Sequence, residues 1–449
     1  MKTVFLFIGN PVYASDLLRT DYIAYLASQF RVVVFLPEAM RIDTYPAFPT
    51  VEYRSLPLYN KRLWAYAKEF RLTLNRVNET WAETLFNRER FDVQHRRTLR
   101  IIARVFPRGL IRNALFTFFE NFFTRKLPEL GKAVGELSPA LFLVPAPGLN
   151  PFEAQAVIQA KKFKIPSVAI NFSWDNLTSN FSHVRKTDYI ICWNDLEYKD
   201  ALSLHGYKKS SAFISGPIRF DRYFRDTEKH MTREQFLLEK GLDPKKKTLL
   251  FTSVTKNYPF QKDLVRRIVA LRNTGAIRGC PNIFLRVHPL DTIETYNEFR
   301  SIPYFYIEKA GQEYIGSTGK TYVEMSEKDL INLKRTLLYA DCNMNHVSTI
   351  TIEASIVDTP VVNITFDDIY GLMYKQRHYA PVLEHKAAIL AKTDDELAYA
   401  LNRYFEDPSL HREGRKNLVR DFIPYQDGLS YKRNVEVLHS IISSITPNS

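Results

Sequence analysis

The chain is poor in cysteine and has no long apolar run. Three cysteines occur among 449 residues, and their spacing fits neither a disulfide framework nor a zinc motif. No stretch of about 18 uncharged apolar residues is present, so we expect no transmembrane helix. The apolar segment Val4–Ile8 is too short for a signal peptide and is typical of a buried strand. These absences predict a cytoplasmic protein.

Three glycine-based enzyme motifs are missing as well. The sequence contains no Gly-x-Ser-x-Gly elbow, no P-loop lysine motif and no Gly-x-Gly-x-x-Gly fingerprint. Histidines and carboxylates are not spaced as metal ligands, and Asp367-Asp368 is more typical of a solvated turn than of a metal site. We therefore expect no metal and no bound cofactor.

The chain does contain a regular alternation of short apolar segments and helix-length segments. After a loop at Asn10–Asp16, a helix is predicted at Leu17–Gln29. Strands are predicted at Val4–Ile8, Arg31–Leu36, Leu141–Val144, Ser167–Ile170, Tyr189–Cys192 and Ala212–Ile214, then at Thr248–Phe251, Ile283–Val287 and Pro360–Ile364. Strands that alternate with helices of about 10–15 residues are typical of a parallel sheet covered by helices.

The polar segment Asp226–Lys247 separates the two sets of strands. The sequence therefore predicts an α/β protein with two Rossmann-like domains, at 1–240 and 245–405, which face each other across a cleft. Helices predicted within 406–449 are expected to pack back across both domains. Ligands of such sheets bind outside the carboxyl ends of the strands, so candidate functional residues are sought there.

Residues 61–135 interrupt this alternation with a segment that is helical in pattern, basic and aromatic. Between residues 61 and 126, 15 Lys or Arg stand against 6 Asp or Glu, which accounts for +9 of the net charge of +13. One helical face carries five bulky apolar residues, Leu115, Phe118, Phe119, Phe122 and Phe123. Such a face beside arginines suits either an interfacial helix on anionic lipid or packing onto the core, and both interpretations stay open.

Two loops of the second half carry candidates for binding a phosphorylated ligand. His288, in Arg286–Pro289, ends a predicted strand, where an imidazole can donate to a phosphate. Ser253 and Lys256 follow the strand Thr248–Phe251 in a hydroxyl-rich loop that could hold a diphosphate. The structural alternatives are a turn histidine and an ordinary loop.

Further candidates flank the predicted helix Ile350–Val357. Ser348 and Thr349 are candidate N-caps, and a helix N-terminus with hydroxyls is a ready phosphate site. Glu353 lies one turn inside the helix and could reach a ribose hydroxyl, although a solvated or cap-closing role is the alternative. Arg219, in Gly216–Asp221, could bind a phosphate bidentately or pair with Asp221.

The first candidate for a general base is Asp175, which lies in Ser173–Ser179 directly after the strand Ser167–Ile170. A carboxylate at a strand end beside an aromatic residue can act as a base, although an Asx turn is the structural alternative. Asp16 competes for this role, or else it caps the helix at Leu17. Glu153 is a weaker third candidate.

Taken together, these residues resemble a known pattern. The matching pieces are His288-Pro289, Ser348-Thr349, Glu353-Ala354, Thr359–Val362 and the tail Asp427–Arg433. They resemble bacterial GT-B enzymes of the CDP-glycerol glycerophosphotransferase, Kdo-transferase and sialyltransferase kind, over roughly residues 140–440. The segment Gly216–Asp221 is similar to the Gly-x-Pro-x-x-Asp turn at their domain junction, with the proline shifted by one position.

The resemblance implies a GT-B glycosyltransferase with a nucleotide-sugar donor, CMP- or UDP-linked, as substrate. It assigns donor binding to His288, Ser348 and Thr349. A His-Gly pair of the glycerophosphotransferases is replaced here by residues 173–176, which argues against polyol-phosphate transfer and makes Asp175 the first choice for base in an inverting reaction. The implied acceptor is a glycan or a lipid-linked hydroxyl, and the basic insertion then fits a protein peripheral on the inner face of the plasma membrane.

Two alternatives belong to other functional classes. A nucleotide-sugar 2-epimerase on the same scaffold would act on the donor alone and would need no basic insertion. A non-catalytic protein could instead use that insertion to bind nucleic acid, with steep salt dependence. No nucleic-acid-binding motif is present, so we expect no nucleic-acid partner.

Overall fold

A computed structural model of the chain describes residues 1–58, 118, 126–146, 150–178, 186–225, 230–254, 260–317, 319, 321–366 and 372–445. Lys256, Asp367-Asp368 and most of the basic insertion lie outside the described residues. Of the predicted apolar face of the insertion, Phe118 is described and is 62% exposed. Within the described part of the chain, no helix is both long and apolar enough to cross a membrane.

The described chain divides into two compact units. Unit 1 comprises Met1–Ile218, Ile315–Tyr322 and Leu429–Ser449, and unit 2 comprises Arg219–Tyr314 and Val323–Gly428. The boundary after Ile218 precedes the predicted boundary at 240–245. The terminal helices are divided between the units, because Arg412–Phe422 belongs to unit 2 and Ser430–Ile445 to unit 1.

Unit 1 is built on a parallel sheet of seven strands in the order β3-β2-β1-β4-β5-β6-β7. Its strands are β1 (Thr3–Phe7), β2 (Arg31–Pro37), β3 (Val51–Leu56), β4 (Leu141–Val144), β5 (Ser167–Ile170), β6 (Tyr189–Cys192) and β7 (Ala212–Ile214). Its helices are α1 (Pro11–Leu18), α2 (Asp21–Gln29), α3 (Pro128–Leu137), α4 (Pro151–Phe163), α5 (Asp195–His205) and a last helix (Ser430–Ile445). All five residues of β1 are buried, as expected for a strand covered on both faces.

Unit 2 is built on a second parallel sheet, of six strands, in the order β10-β9-β8-β13-β14-β15. Its strands are β8 (Thr248–Thr252), β9 (Asn282–Val287), β10 (Phe305–Lys309), β13 (Cys342–Asn345), β14 (Val361–Ile364) and β15 (Ile389–Ala391), and a separate two-stranded sheet pairs β11 (Gln312–Ile315) with β12 (Thr321–Glu324). Its helices are α6 (Arg233–Glu239), α7 (Gln261–Asn273), α8 (Glu327–Tyr339), α9 (Ile350–Ile356), α10 (Ala380–Glu384), α11 (Asp394–Glu406) and α12 (Arg412–Phe422). Rows of buried apolar side chains from β8, β9 and β13 contribute to its core.

The predicted loop at Asn10–Asp16 and the single helix after it are wrong. Asn10 Oδ1 accepts the N–H of Val12 at 2.9 Å, and Pro11 occupies the first helical position, so a helix begins there. The Thr20 hydroxyl donates to Asp16 O at 2.8 Å and starts α2 as its N-cap. Asp16 therefore lies inside α1 and caps no helix at Leu17.

The last helix, labelled α13 (Ser430–Ile445), packs on α2 within unit 1. Its buried side chains join the core of β1 and β2, and they are Val435, Leu438, Ile441 and Ile442. The Tyr22 hydroxyl donates to Asn434 Oδ1 at 3.2 Å, which fixes the register of the two helices.

Strand order places a topological switch point in each sheet. In unit 1 the chain first builds outward from β1 through β2 to β3, and then returns to add β4 on the other side of β1. In unit 2 the same reversal falls between β8 and β13. Ligands of open parallel sheets bind beside such points at the carboxyl ends of the strands, so each unit has one such edge.

Candidate functional site

Three neighbouring strands bring several predicted donor-binding residues to the carboxyl edge of unit 2. Thr252 of β8 pairs with Arg286 of β9 on one side and with Asn345 of β13 on the other. Ser253, the residue after β8, therefore lies between the ends of β9 and β13. His288 follows β9 by one residue, and the loop with Ser348 and Thr349 follows β13.

Ser253 is held at the end of β9 by a backbone hydrogen bond and contacts His288 through its side chain. The Ser253 N–H donates to Arg286 O at 3.0 Å, and Ser253 Oγ accepts the N–H of His288 at 2.8 Å. Pro289 then turns the chain, and the N–H of Asp291 donates to His288 O at 2.8 Å. His288 is thus a turn histidine, as the structural alternative predicted, and its ring is also held at the ends of the strands.

The protonation of His288 follows from its surroundings. Burial lowers the pKa of its ring to about 4; the charge of Lys309 also lowers it, and Asp291 acts in the opposite direction. The imidazole is therefore neutral at pH 7. Because its Nδ1 accepts the N–H of Leu290 at 3.1 Å, the ring proton resides on Nε2, which is a hydrogen-bond donor.

The loop before α9 gives Ser348 and Thr349 different roles. Ser348 Oγ accepts the N–H of Ile350 at 3.2 Å, and Ser348 O accepts the N–H of Thr351 at 3.0 Å. Thr349 already has helical backbone angles, and its side chain makes no capping hydrogen bond. Donor binding by either hydroxyl stays a prediction.

Glu353 and Arg219, predicted separately, contact each other. Arg219 Nη2 lies 3.5 Å from Glu353 Oε1, and Glu353 is 3% exposed. Arg219 begins unit 2 and lies in the 3₁₀ helix Ile218–Phe224, so the ion pair ties this segment to α9. The proposed contact of Glu353 with a ribose stays a prediction.

A buried polar network that the sequence analysis missed lies beneath this edge. Asn345 Oδ1 accepts from Asn363 Nδ2 at 2.9 Å and from Thr351 Oγ1 at 3.2 Å, and Asn345 Nδ2 donates to Asn343 Oδ1 at 2.6 Å. Tyr379 completes the network through its hydroxyl, which bonds Asn363 Oδ1. The network joins β13, β14 and α9. Its sequence signal is the period-two pair of asparagines in Cys342–Asn345.

At the carboxyl edge of unit 1, Asp175 lies in a tight turn after β5. The N–H of Asn176 donates to Ser173 O at 3.1 Å, and the Ser173 hydroxyl donates to Asp175 Oδ1 at 2.5 Å. The carboxyl of Asp175 is half-buried. These hydrogen bonds close the turn at the strand end, and the role of Asp175 as a base stays a prediction.

Glu153 occupies the switch point of unit 1. Its Oε1 accepts the N–H of Gly9, after β1, at 3.0 Å, and its Oε2 accepts the N–H of Ala146, after β4, at 2.9 Å. Burial raises its pKa to about 8, although both backbone donors act to lower it. Because the side chain is fully buried and both oxygens are engaged, Glu153 joins two loops and is poorly placed to contact a substrate.

Gly9 allows this close approach. A Cβ at Gly9 would lie 2.4 Å from Asn150 Oδ1, the side chain that caps α4. Asp16 lies near the same edge, because Tyr13 of α1 packs its ring against Phe172, with centroids 4.1 Å apart, and Asp16 follows one turn later. Asp16 is 5% exposed.

The described residues contain no group of three His, Cys, Asp or Glu side chains that could hold a metal ion.

Comparisons with known proteins identify the fold. No family model matches the sequence, and no curated protein matches it. S. aureus MnaA, solved with UDP, aligns with a TM-score of 0.58 at 11% identity, covering 100% of this chain and 99% of that one. A UDP-GlcNAc 2-epimerase from Neisseria meningitidis bound to UDP-GlcNAc gives 0.56 at 13% identity, covering 98% of this chain and 100% of that one.

Glycosyltransferase structures align as well. A glycosyltransferase from Rickettsia africae gives a TM-score of 0.51 at 10% identity, covering 100% of this chain and 99% of that one. The wall teichoic acid polymerase TagF, soaked with CDPG, gives 0.50 at 10% identity, covering 98% of this chain and 89% of that one. The two parallel-sheet units therefore have the GT-B fold, which confirms the predicted fold class.

Proposed function

We propose that the chain is a nucleotide-sugar enzyme that transfers a sugar to a hydroxyl of a glycan or a lipid-linked acceptor in surface polysaccharide synthesis. The observation that carries this proposal is the neutral His288 ring, whose Nε2–H is a donor at the switch-point edge of unit 2. A donor of this kind binds a phosphate oxygen without depending on pH near neutrality. Ser253, Ser348 and Thr349 supply hydroxyls at the same edge.

Unit 1 supplies the base in this proposal. The Asp175 carboxylate takes the proton from the acceptor hydroxyl, whose oxygen forms a bond to the anomeric carbon. The bond from that carbon to the phosphate oxygen breaks at the same time, and its electron pair leaves with the nucleotide. Such a displacement inverts the anomeric configuration and requires no metal when hydrogen-bond donors stabilise the leaving diphosphate.

A 2-epimerase acting on the nucleotide sugar alone is the second candidate. Structures with that name superpose on this chain over almost their whole length, with TM-scores between 0.51 and 0.56. The unit 2 residues would bind the same nucleotide in both reactions. The two reactions differ in what happens to the sugar, which is transferred to an acceptor in the first and stays attached to the nucleotide in the second.

The donor-site assignment is tested by nucleotide binding. We expect one of UDP, CDP, CMP, GDP or dTDP to raise the thermal midpoint, by an amount equivalent to about 2.7 kcal/mol at 100 times its Kd. His288→Ala should abolish this shift, whereas His230→Ala, at an exposed histidine of unit 2, should not. A folded wild-type protein that binds none of these nucleotides would refute the assignment.

The reaction is tested with UDP-GlcNAc as probe, followed by proton NMR. An epimer formed from the donor alone, with the nucleotide still attached, would establish the second candidate and refute transfer. Release of UDP that requires added glycan or lipid-linked acceptor would support transfer.

Membrane attachment is a separate part of the proposal, and it rests on the charge of residues 61–126. Flotation with vesicles of anionic phospholipid should recover the full chain, and neutral vesicles should not. Equal recovery with both, or none with anionic vesicles, would remove the membrane from the proposal.

A further inference from the structure

The turn that carries Asp175 is attached to helix α5 near both ends of that helix. At the first turn, Asn171 Nδ2 donates to Ser173 O at 3.1 Å, and the same side chain hydrogen-bonds to the carboxyl of Glu197. At the last turn, His205 Nε2 bonds Leu177 O at 2.9 Å. Since these contacts fall on either side of Asp175, α5 determines where the turn lies.

Glu197 is buried, and one of its two carboxyl oxygens is hydrogen-bonded to the backbone. Its Oε2 accepts the N–H of Trp193 at 2.7 Å, and the Trp193 ring in turn donates to Asn171 O at 2.9 Å. Within the described ranges, its Oε1 has no hydrogen-bond partner. A buried carboxylate with one oxygen unpaired is costly, so the carboxyl favours its protonated form.

The charges around Glu197 act in the same direction. The carboxyls of Asp200 and Asp175 repel its ionised form, and the buried Cys192 thiol lies close enough to interact with it. Burial, the largest cause, raises the pKa of Glu197 to about 8 against the hydrogen bonds from Trp193 and Asn171. Burial also lowers the pKa of His205 to about 4. Between these values both attachments of the turn are uncharged.

We infer that Glu197 is a positioning residue for Asp175, whose turn it holds through Trp193 and Asn171 and whose carboxylate it repels once Glu197 is itself ionised. This inference rests on the proposed role of Asp175 and extends it. Below about pH 8, Glu197 carries its proton. Above that pH its ionised carboxyl adds a negative charge that repels the Asp175 carboxylate.

Carbon-13 NMR of the carboxyl groups tests the inference without a substrate. In full-length protein labelled at Glu Cδ and Asp Cγ, two glutamate signals, those of Glu153 and Glu197, should titrate near pH 8, and one of them should vanish in Glu197→Gln. The signal assigned to Asp175, by its loss in Asp175→Asn, should show a second step at the same pH. That step should be absent from Glu197→Gln and present in Asp195→Asn, which removes an exposed carboxylate from the same helix turn.

An Asp175 signal that titrates identically in wild type and Glu197→Gln overturns the inference. Asn171→Ala provides a second route if Glu197→Gln does not fold: the glutamate step near pH 8 should remain, while the Asp175 signal moves toward the shift of an exposed aspartate. An unmoved signal would likewise contradict the inference.

Turnover of UDP-GlcNAc provides the functional arm. We expect log(kcat/KM) of the wild type to change near pH 8 and the profile of Glu197→Gln to lack that change. If the wild type does not turn over the probe, the proposed function fails on its own terms, and the NMR titration still decides the role of Glu197.

Discussion

The carboxyl edges of the two sheets share a topology but differ in chemistry. At the edge of unit 2, uncharged donors and hydroxyls come together, led by His288 and Ser253. The segments at the edge of unit 1 instead carry carboxyl groups: half-buried Asp175 and buried Asp16, Glu153 and Glu197. In the proposed function, the first set binds the anionic donor, and Asp175 of the second takes the proton of the acceptor.

Burial acts in opposite directions on the two edges. It removes a proton from the His288 ring and adds one to Glu153 and Glu197, and in every case the result is an uncharged group. Burial therefore leaves an uncharged hydrogen-bond donor, the His288 ring, in unit 2 and protonated carboxyl groups in unit 1. Substitutions of His288 in unit 2 and of Glu153 or Glu197 in unit 1 should therefore have different effects.

The largest expected effect concerns the base. Asp175→Asn keeps the shape of the turn and removes the proton acceptor, so kcat should fall by about 10²–10⁴-fold. The affinity for the nucleotide should stay unchanged, because the proposed nucleotide-binding residues belong to unit 2. Calorimetric binding beside a turnover assay separates these quantities, with Asp195→Asn as the charge-matched control. Loss of nucleotide affinity in Asp175→Asn would contradict the division of roles.

The next effect concerns the switch point of unit 1. Glu153→Leu leaves the N–H groups of Gly9 and Ala146 without their acceptor, which should cost roughly 2–6 kcal/mol of the free energy of unfolding. Glu153→Gln keeps one acceptor and should lose about half as much. Urea unfolding measures both, and Glu129→Gln, at an exposed carboxyl, should be neutral. A near-neutral Glu153→Leu would show that the two loops do not depend on it.

The two edges should also respond to pH with opposite signs. The pKa of Glu153 is raised to about 8, whereas an unfolded glutamate has a pKa of about 4.3, so its contribution to stability falls as pH rises between these values. The pKa of His288 is lowered to about 4 from about 6.5, so its contribution falls as pH drops between those values. Thermal midpoints from pH 4 to 9 check this prediction: Glu153→Gln should flatten the alkaline side and His288→Ala the acid side.

The smallest effect concerns the support of His288. Ser253→Ala removes the hydroxyl that accepts the N–H of His288, which should cost about 1 kcal/mol and reduce nucleotide affinity several-fold. Thr274→Ala, at a hydroxyl of α7 that bonds only its own helix end, serves as control for the loss of a hydroxyl. Full nucleotide affinity in Ser253→Ala would mean that the turn holds the ring without it.

The sequence predicted every strand of the unit 1 sheet except β3, but only β8, β9 and β14 of the six-stranded sheet of unit 2. Both faces of β1 and β9 are covered, so their apolar runs mark them directly. Strand β13 was missed because two of its four residues are asparagines, which are ordinarily found in turns. Their burial depends on partners from β14 and α9, which no local pattern reveals.

The candidate sites show the same limit. The position of His288 could be predicted because this residue lies between an apolar strand and Pro289, which ends that strand. Asp16 was misplaced because the cap at Asn10 and the proline after it begin a helix that the apolar spacing did not mark. Glu197 was not considered at all, since its importance arises from contacts with Asn171 and Trp193, which lie on other segments.

Three of the described helices begin with a capping residue and a glutamate at the third helical position. Whether that glutamate is charged depends on how deeply it is buried. Glu153, Glu197 and Glu396 each occupy the third position of a helix, with Asn150, Asn194 and Thr393 as the respective caps. Glu396 is part of an exposed cap that accepts the N–H of Lys392, whereas the other two carboxyls are buried. Because burial raises the pKa of Glu153 and of Glu197 to about 8, both carboxyls favour the protonated form at pH 7 in the native protein. Unfolding at pH 7 should therefore release about two protons from these carboxyls to the buffer and lower the electrophoretic mobility toward the cathode by that amount of charge.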